Sequence, residues 1–151
     1  MYPELSTLLD YKNNNVLNRY SKDYPDNRLD AEKAFRELMK FIWLNLKHKS
    51  DKKSAPDNKE LDFIIGIHHE MKEIDDMWHT FLLFTKDYAD FCEKYIGKYF
   101  HHSPNNNTEE ITKSEFEIDF TRFLSYVYDN LQQETLEIWF HSLINKIDEK
   151  H

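Results

Sequence analysis

Asp30-Ala31-Glu32-Lys33-Ala34-Phe35-Arg36-Glu37-Leu38-Met39-Lys40-Phe41-Ile42-Trp43-Leu44-Asn45-Leu46-Lys47 decides the fold class. Within it Ala34, Phe35, Leu38, Met39, Ile42, Trp43 and Leu46 recur at spacings of three and four, the period of one apolar helix face. Asp30 stands where a capping carboxylate meets the first free N–H groups. The spacing predicts a helix from Asp30 to about Lys47.

The same period returns downstream. Met71, Ile74, Met77, Trp78, Phe81, Leu82 and Thr85 form one helical stripe, and Tyr88, Phe91, Cys92 and Tyr95 another that stops at Gly97, a fitting left-handed cap. Ser114 and Glu117 make a capping box for a helix carrying Phe116, Phe120, Phe123, Leu124, Val127 and Leu131. A last helix, roughly from Gln133 to Lys146, presents Leu136, Trp139, Phe140, Leu143, Ile144 and Ile147. Leu61, Ile64, Ile65 and His68 share a further stripe, broken near Gly66. Nothing alternates with the period of two that a half-buried strand requires. The expectation is all-α: one domain over 1–151, a bundle of about five helices. Residues 1–29, with a short helix near Leu5 to Leu9, form a packed N-terminal arm, and the lysine-rich stretch 47–58 a mobile basic loop.

Composition agrees. A chain of 151 residues supports one hydrophobic core, and only 2 glycines and 4 prolines leave few turn-makers. The net charge of −8 disfavours nucleic acid as a partner. Phe63-Ile64-Ile65 and Phe81-Leu82-Leu83-Phe84 are the longest apolar runs, far below the roughly 20 residues of a membrane span. The start, Met1-Tyr2-Pro3-Glu4-Leu5-Ser6, lacks the basic-then-apolar pattern of a secretory signal. The lone Cys92 cannot form an internal disulfide, which suits a reducing cytoplasm.

Chemistry concentrates between positions 68 and 102, where five of the eight histidines fall: His68, His69, His79, His101 and His102. At about 100° per residue, Asp75 and His79 lie within ~40° of each other on one helix face and can share one ion. Continued backwards, the same helix would bring His68 within ~20° of Asp75. Imidazole and carboxylate suit Zn²⁺ or Fe²⁺, and two histidines with one carboxylate leave positions open. Cys92 is either buried packing or a further ligand. Lysines 47, 49, 52 and 53 either meet an acidic partner or keep a loop soluble. Two glycines cannot build a phosphate loop or a Gly-x-Ser-x-Gly elbow.

Ile74-Asp75-Asp76-Met77-Trp78-His79, the Thr85-x-x-Tyr88-x-x-Phe91-Cys92 extension, Gly97 and His101-His102-Ser103-Pro104 resemble the bacterial glycine-rich domain-containing protein-like family, over about 31 residues. Plant members tend to carry a second His where this chain has Phe81, and the glycine-rich region itself is missing. The resemblance implies no reaction. It groups Asp75, Trp78, His79, Tyr88, Cys92, His101 and His102 into one motif and implies that Asp75, His79 and a histidine of the doublet converge.

Two readings follow. In the first, Asp75, His79, His101 or His102, and Cys92 hold a divalent zinc or iron ion, with Trp78, Tyr88 and His68 around the pocket, in a metal-dependent enzyme with a small-molecule or protein partner. In the second, the chain is a non-enzymatic helical interaction module with structural histidines, docking a partner through Trp43, Trp139 or the early tyrosines.

Overall fold

The computed structural model describes residues 2–102, 112–141 and 143, and no strand occurs among them. The order is α1 (Leu5–Leu9), α2 (Asn14–Asp23), α3 (Ala31–Ser54), α4 (Lys72–Leu83), α5 (Thr85–Tyr95) and α6 (Lys113–Trp139). Single 3-10 turns stand at Lys59–Leu61 and His69–Met71. Among the described residues no helix is long and apolar enough to cross a membrane. Ser103, Pro104, Glu109, Glu110, Ile144 and Ile147 lie outside the described residues.

Helix α3 is the axis. Its 24 residues span about 36 Å, and α1, α2, α4 and α6 all pack on it. That enclosure buries Ala34, Phe35, Leu38, Met39, Phe41, Ile42 and Leu44, a band wider than the single apolar face the spacing predicts. The Asp30 side chain accepts from the Lys33 N–H at 2.9 Å, so the expected cap forms.

The expected mobile loop over 47–58 does not exist as such, because α3 continues to Ser54. Lys47 and Asp51 pair at 2.6 Å one turn apart, and Asp51 also accepts from the Tyr126 hydroxyl. His48 is buried, meets the Leu61 carbonyl at 2.9 Å and packs on Phe63. A polar surface pattern concealed a stretch held by specific tertiary partners. The N-terminal arm packs as expected, with a second helix, α2, whose first turn is capped by the Asn13 side chain.

The stripe through Leu61, Ile64, Ile65 and His68 does not form; residues 62–68 are irregular around Gly66. Gly97 caps α5 as expected, at φ +92°, where its N–H joins that of Ile96 on the Cys92 carbonyl. Helix α6 starts two residues earlier than the Ser114 box implies: Thr112 is the cap, and its hydroxyl accepts from Glu115 N–H. The expected boundary between Leu131 and Gln133 appears as a kink at Gln132, with φ 74°. Holding a non-glycine residue there costs about 1–3 kcal/mol. Buried anchors beyond it oppose that cost: Lys40 donates to the Thr135 hydroxyl and the Trp139 indole to Glu37.

Candidate metal centre

Helix α4 opens with Asp75 in its first turn and carries Trp78 and His79 beyond it. The i, i+4 spacing sets Asp75 Oδ1 3.7 Å from His79 Nε2. His102 arrives from the loop after α5, its Nε2 2.7 Å from the same oxygen, and the two imidazole centroids are 4.6 Å apart. One ligand-type atom from each of the three side chains lies within 4.8 Å of the others. His79 is the open member, with 51% of its side chain exposed against 16% for His102.

Delivery of His102 depends on residues that are not ligands. The Trp78 indole N–H donates to the Tyr88 hydroxyl at 3.0 Å, which in turn donates to the Phe100 carbonyl. The Phe100 N–H meets Cys92 Sγ at 3.5 Å. Both backbone polar groups of Phe100 are therefore fixed by α5, two residues before His102. Trp78 completes the clamp, stacked on Phe100 at 5.3 Å and packed against the His102 ring at 4.4 Å. Burial pushes the Tyr88 phenol well above its ordinary value and the Cys92 thiol up as well, so both stay protonated donors or packing groups near neutrality.

Four expected site residues stand outside the three-residue cluster. Cys92, expected as either buried packing or a ligand, is 1% exposed, lies outside the cluster and meets the Phe100 N–H. His101 borders the cavity but turns its ring onto Tyr99 at 4.7 Å, leaving His102 as the member of the doublet that joins the site. His68 lies outside α4, because the helix does not extend back past Lys72, and packs among Phe120, Phe123 and Phe140. Desolvation there holds its imidazole below the ordinary pKa. Tyr88 is buried beneath the cavity instead of lining it.

The cluster opens on a cavity of about 490 Å³ walled by Phe41, Ile64, Ile65, Trp78 and Phe100, with Asn45 as a further polar group. Sequence reasoning left out Phe41 and Asn45. An asparagine in an otherwise apolar stretch of α3 was the available signal; its amide NH₂ donates to the Phe41 carbonyl at 2.8 Å.

The donor set fits a metal ion. With bonds of about 2.0–2.1 Å in a tetrahedral site, neighbouring donor atoms stand about 3.3 Å apart. The separations of 2.7 and 3.7 Å from Asp75 Oδ1 straddle that figure, and the two imidazoles, with donor atoms within 4.8 Å of each other, would have to close around an ion. A family model described as UCP032817-like matches residues 66–144, just over half of the chain, and spans Asp75, His79 and His102. No curated protein and no solved structure matches.

Proposed function

The chain belongs to the UCP032817-like family, and from that premise we propose that it binds a divalent metal ion, zinc or ferrous iron, through Asp75, His79 and His102. One observation carries the reading: three ligand-type atoms from a helix and a loop meet within 4.8 Å on the wall of a concave cavity. Three protein ligands are the number found in catalytic rather than structural zinc sites, and two histidines with a carboxylate also suit ferrous iron. Such an ion activates a bound water near neutral pH or polarises a carbonyl. The chain's own contribution is orientation: Tyr88 and Cys92 fix Phe100, Phe100 and Trp78 wall one side, and Asp75 holds the His102 ring.

The cavity volume lies within the range of small-molecule sites, and we take a small molecule as the partner in preference to nucleic acid or a membrane, in keeping with the charge of −8. Kinship with the bacterial glycine-rich domain-containing protein-like family is inferred from the motif alone, and a cytoplasmic setting from the single cysteine alone. The 2.7 Å contact between Asp75 and His102 favours the second reading, an interaction module in which the carboxylate simply fastens the loop to α4.

Calorimetric titration of tag-free protein with Zn²⁺ and with Fe²⁺ separates the two. The metal reading expects one ion per chain and a loss of about 100-fold or more in affinity for His79→Ala, beyond what outer-shell changes cost. Equal binding by the variant, or no binding by either protein, would overturn it in favour of the fastened loop.

A further inference from the structure

One turn beyond Asn45, about 6 Å along α3, a second group of side chains faces the same loop. Leu46, Lys49, Ser50 and Lys53 line a depression of about 180 Å³ whose other wall is Ile96 and Lys98, flanking Gly97. No carboxylate among the described residues lines it. Four other lysines find acids: Lys40 meets Glu37 at 3.1 Å, Lys47 meets Asp51 at 2.6 Å, Lys72 meets Asp76 at 2.6 Å and Lys86 meets Asp90 at 3.4 Å. Lys49, Lys53 and Lys98, all exposed, instead line this one depression and repel one another across it. Like charges repel, and on a chain with a net charge of −8 nothing in the overall field forces three ammonium groups together.

We propose that Lys49, Lys53 and Lys98, with the Ser50 hydroxyl, bind the phosphate group of a soluble small molecule. Lysine ammonium groups are strongly attractive point charges for phosphate oxygens, and several on one pocket neutralise a dianion that a single side chain cannot. The neighbouring Lys98 charge, ahead of a small desolvation and the field of Lys53, lowers the Lys49 pKa, in keeping with the lining of the depression. Leu46 and Ile96 give the rest of the ligand an apolar wall. A membrane phosphate is the poorer match, because the pocket is concave and a chain of net charge −8 is repelled by an anionic lipid surface. The site uses no residue of the metal centre, so either can fail alone.

Titration with inorganic phosphate and inorganic pyrophosphate, followed by amide NMR in the presence of EDTA, tests it. Saturable binding is expected, weakened about tenfold or more in Lys98→Gln and in Lys49→Gln, the loss of one charge-assisted contact. Lys86→Gln, in an exposed pair on α5, should bind as the wild type does. Binding unchanged in Lys98→Gln, no binding by the wild type, or binding seen only with added zinc would overturn the proposal. So would co-sedimentation with phosphatidic acid vesicles that Lys98→Gln abolishes, since it would assign the pocket to a lipid headgroup.

Discussion

Two polar clusters lie near α3, and they are built on opposite principles. Toward α6, Glu37 and Lys40 are nearly enclosed, with side chains 3% and 10% exposed. Each also has a neutral partner, the Trp139 indole on Glu37 and the Thr135 hydroxyl on Lys40. Toward the cavity, Asp75, His79 and His102 are joined through one carboxylate oxygen, and His79 is half exposed. A saturated network in low dielectric holds elements together and has no capacity left for a ligand. A cluster on the wall of a cavity, with one ring half exposed, contributes less to the fold and stays within reach of a ligand. Among the described residues no buried side-chain nitrogen or oxygen lacks a partner, so the open cluster is a local departure from a satisfied interior.

The contrast breaks first under mutation of the closed side. Lys40→Ala leaves Glu37 buried beside an indole alone, and urea denaturation should show a loss of about 3–5 kcal/mol. Glu37→Leu with Lys40→Met should recover most of it, since an apolar pair of similar volume is often neutral. Asp75→Asn, by contrast, should stay within about 1 kcal/mol of wild type in metal-free buffer, because the asparagine oxygen still accepts from His102 and the pair with half-exposed His79 is worth little. A large loss there would erase the distinction between the two clusters.

Zinc sharpens the same contrast. At 100 times its dissociation constant a ligand adds about 2.7 kcal/mol to stability; thermal denaturation should show that gain for the wild type and for Lys40→Ala alike, and none for His79→Ala. Tyr88→Phe tests the support beneath the open cluster. It orphans the Trp78 indole N–H and the Phe100 carbonyl, a cost of about 1–3 kcal/mol. Metal affinity should fall by about tenfold, as when an outer-shell partner of a ligand is lost. A variant with full affinity would remove the clamp from the account.

The smallest effect is one of pH. Burial disfavours the charged imidazole of His68 and of His48 and sets both below the ordinary 6.5. The unfolded chain therefore takes up these protons first as pH falls. Stability from them is complete above about pH 6.5 and declines below it, toward the folded pKa values. Metal-free denaturation at pH 7.5 and 5.5 should show this decline, and His68→Phe should make it shallower; an unchanged slope in that variant would contradict the assignment to His68.

What the sequence revealed follows the range of the interactions involved. Asp75 and His79 were readable because one helical turn fixes their relation, and the Gly97 cap because a left-handed residue has a local signature. The kink at Gln132 was foreshadowed where two apolar stripes lose phase. The helical course of 47–54 was hidden, since His48 and Asp51 are held by Leu61, Phe63 and Tyr126, remote in sequence. The choice of His102 over His101 was equally unreadable. Adjacent loop residues point apart, and only the two anchors on Phe100 decide which ring reaches Asp75. Cys92 stayed open between packing and ligation because a thiol suits both a core and zinc; its burial and its contact with Phe100 make it part of the frame.

Crystals of the tag-free protein grown with zinc, with diffraction recorded on both sides of the zinc absorption edge, address the central claim most directly. The account predicts an anomalous peak bonded to Asp75, His79 and His102, with at least one coordination position turned to the cavity. A map with no peak there, and the Asp75 to His102 hydrogen bond intact, would contradict it.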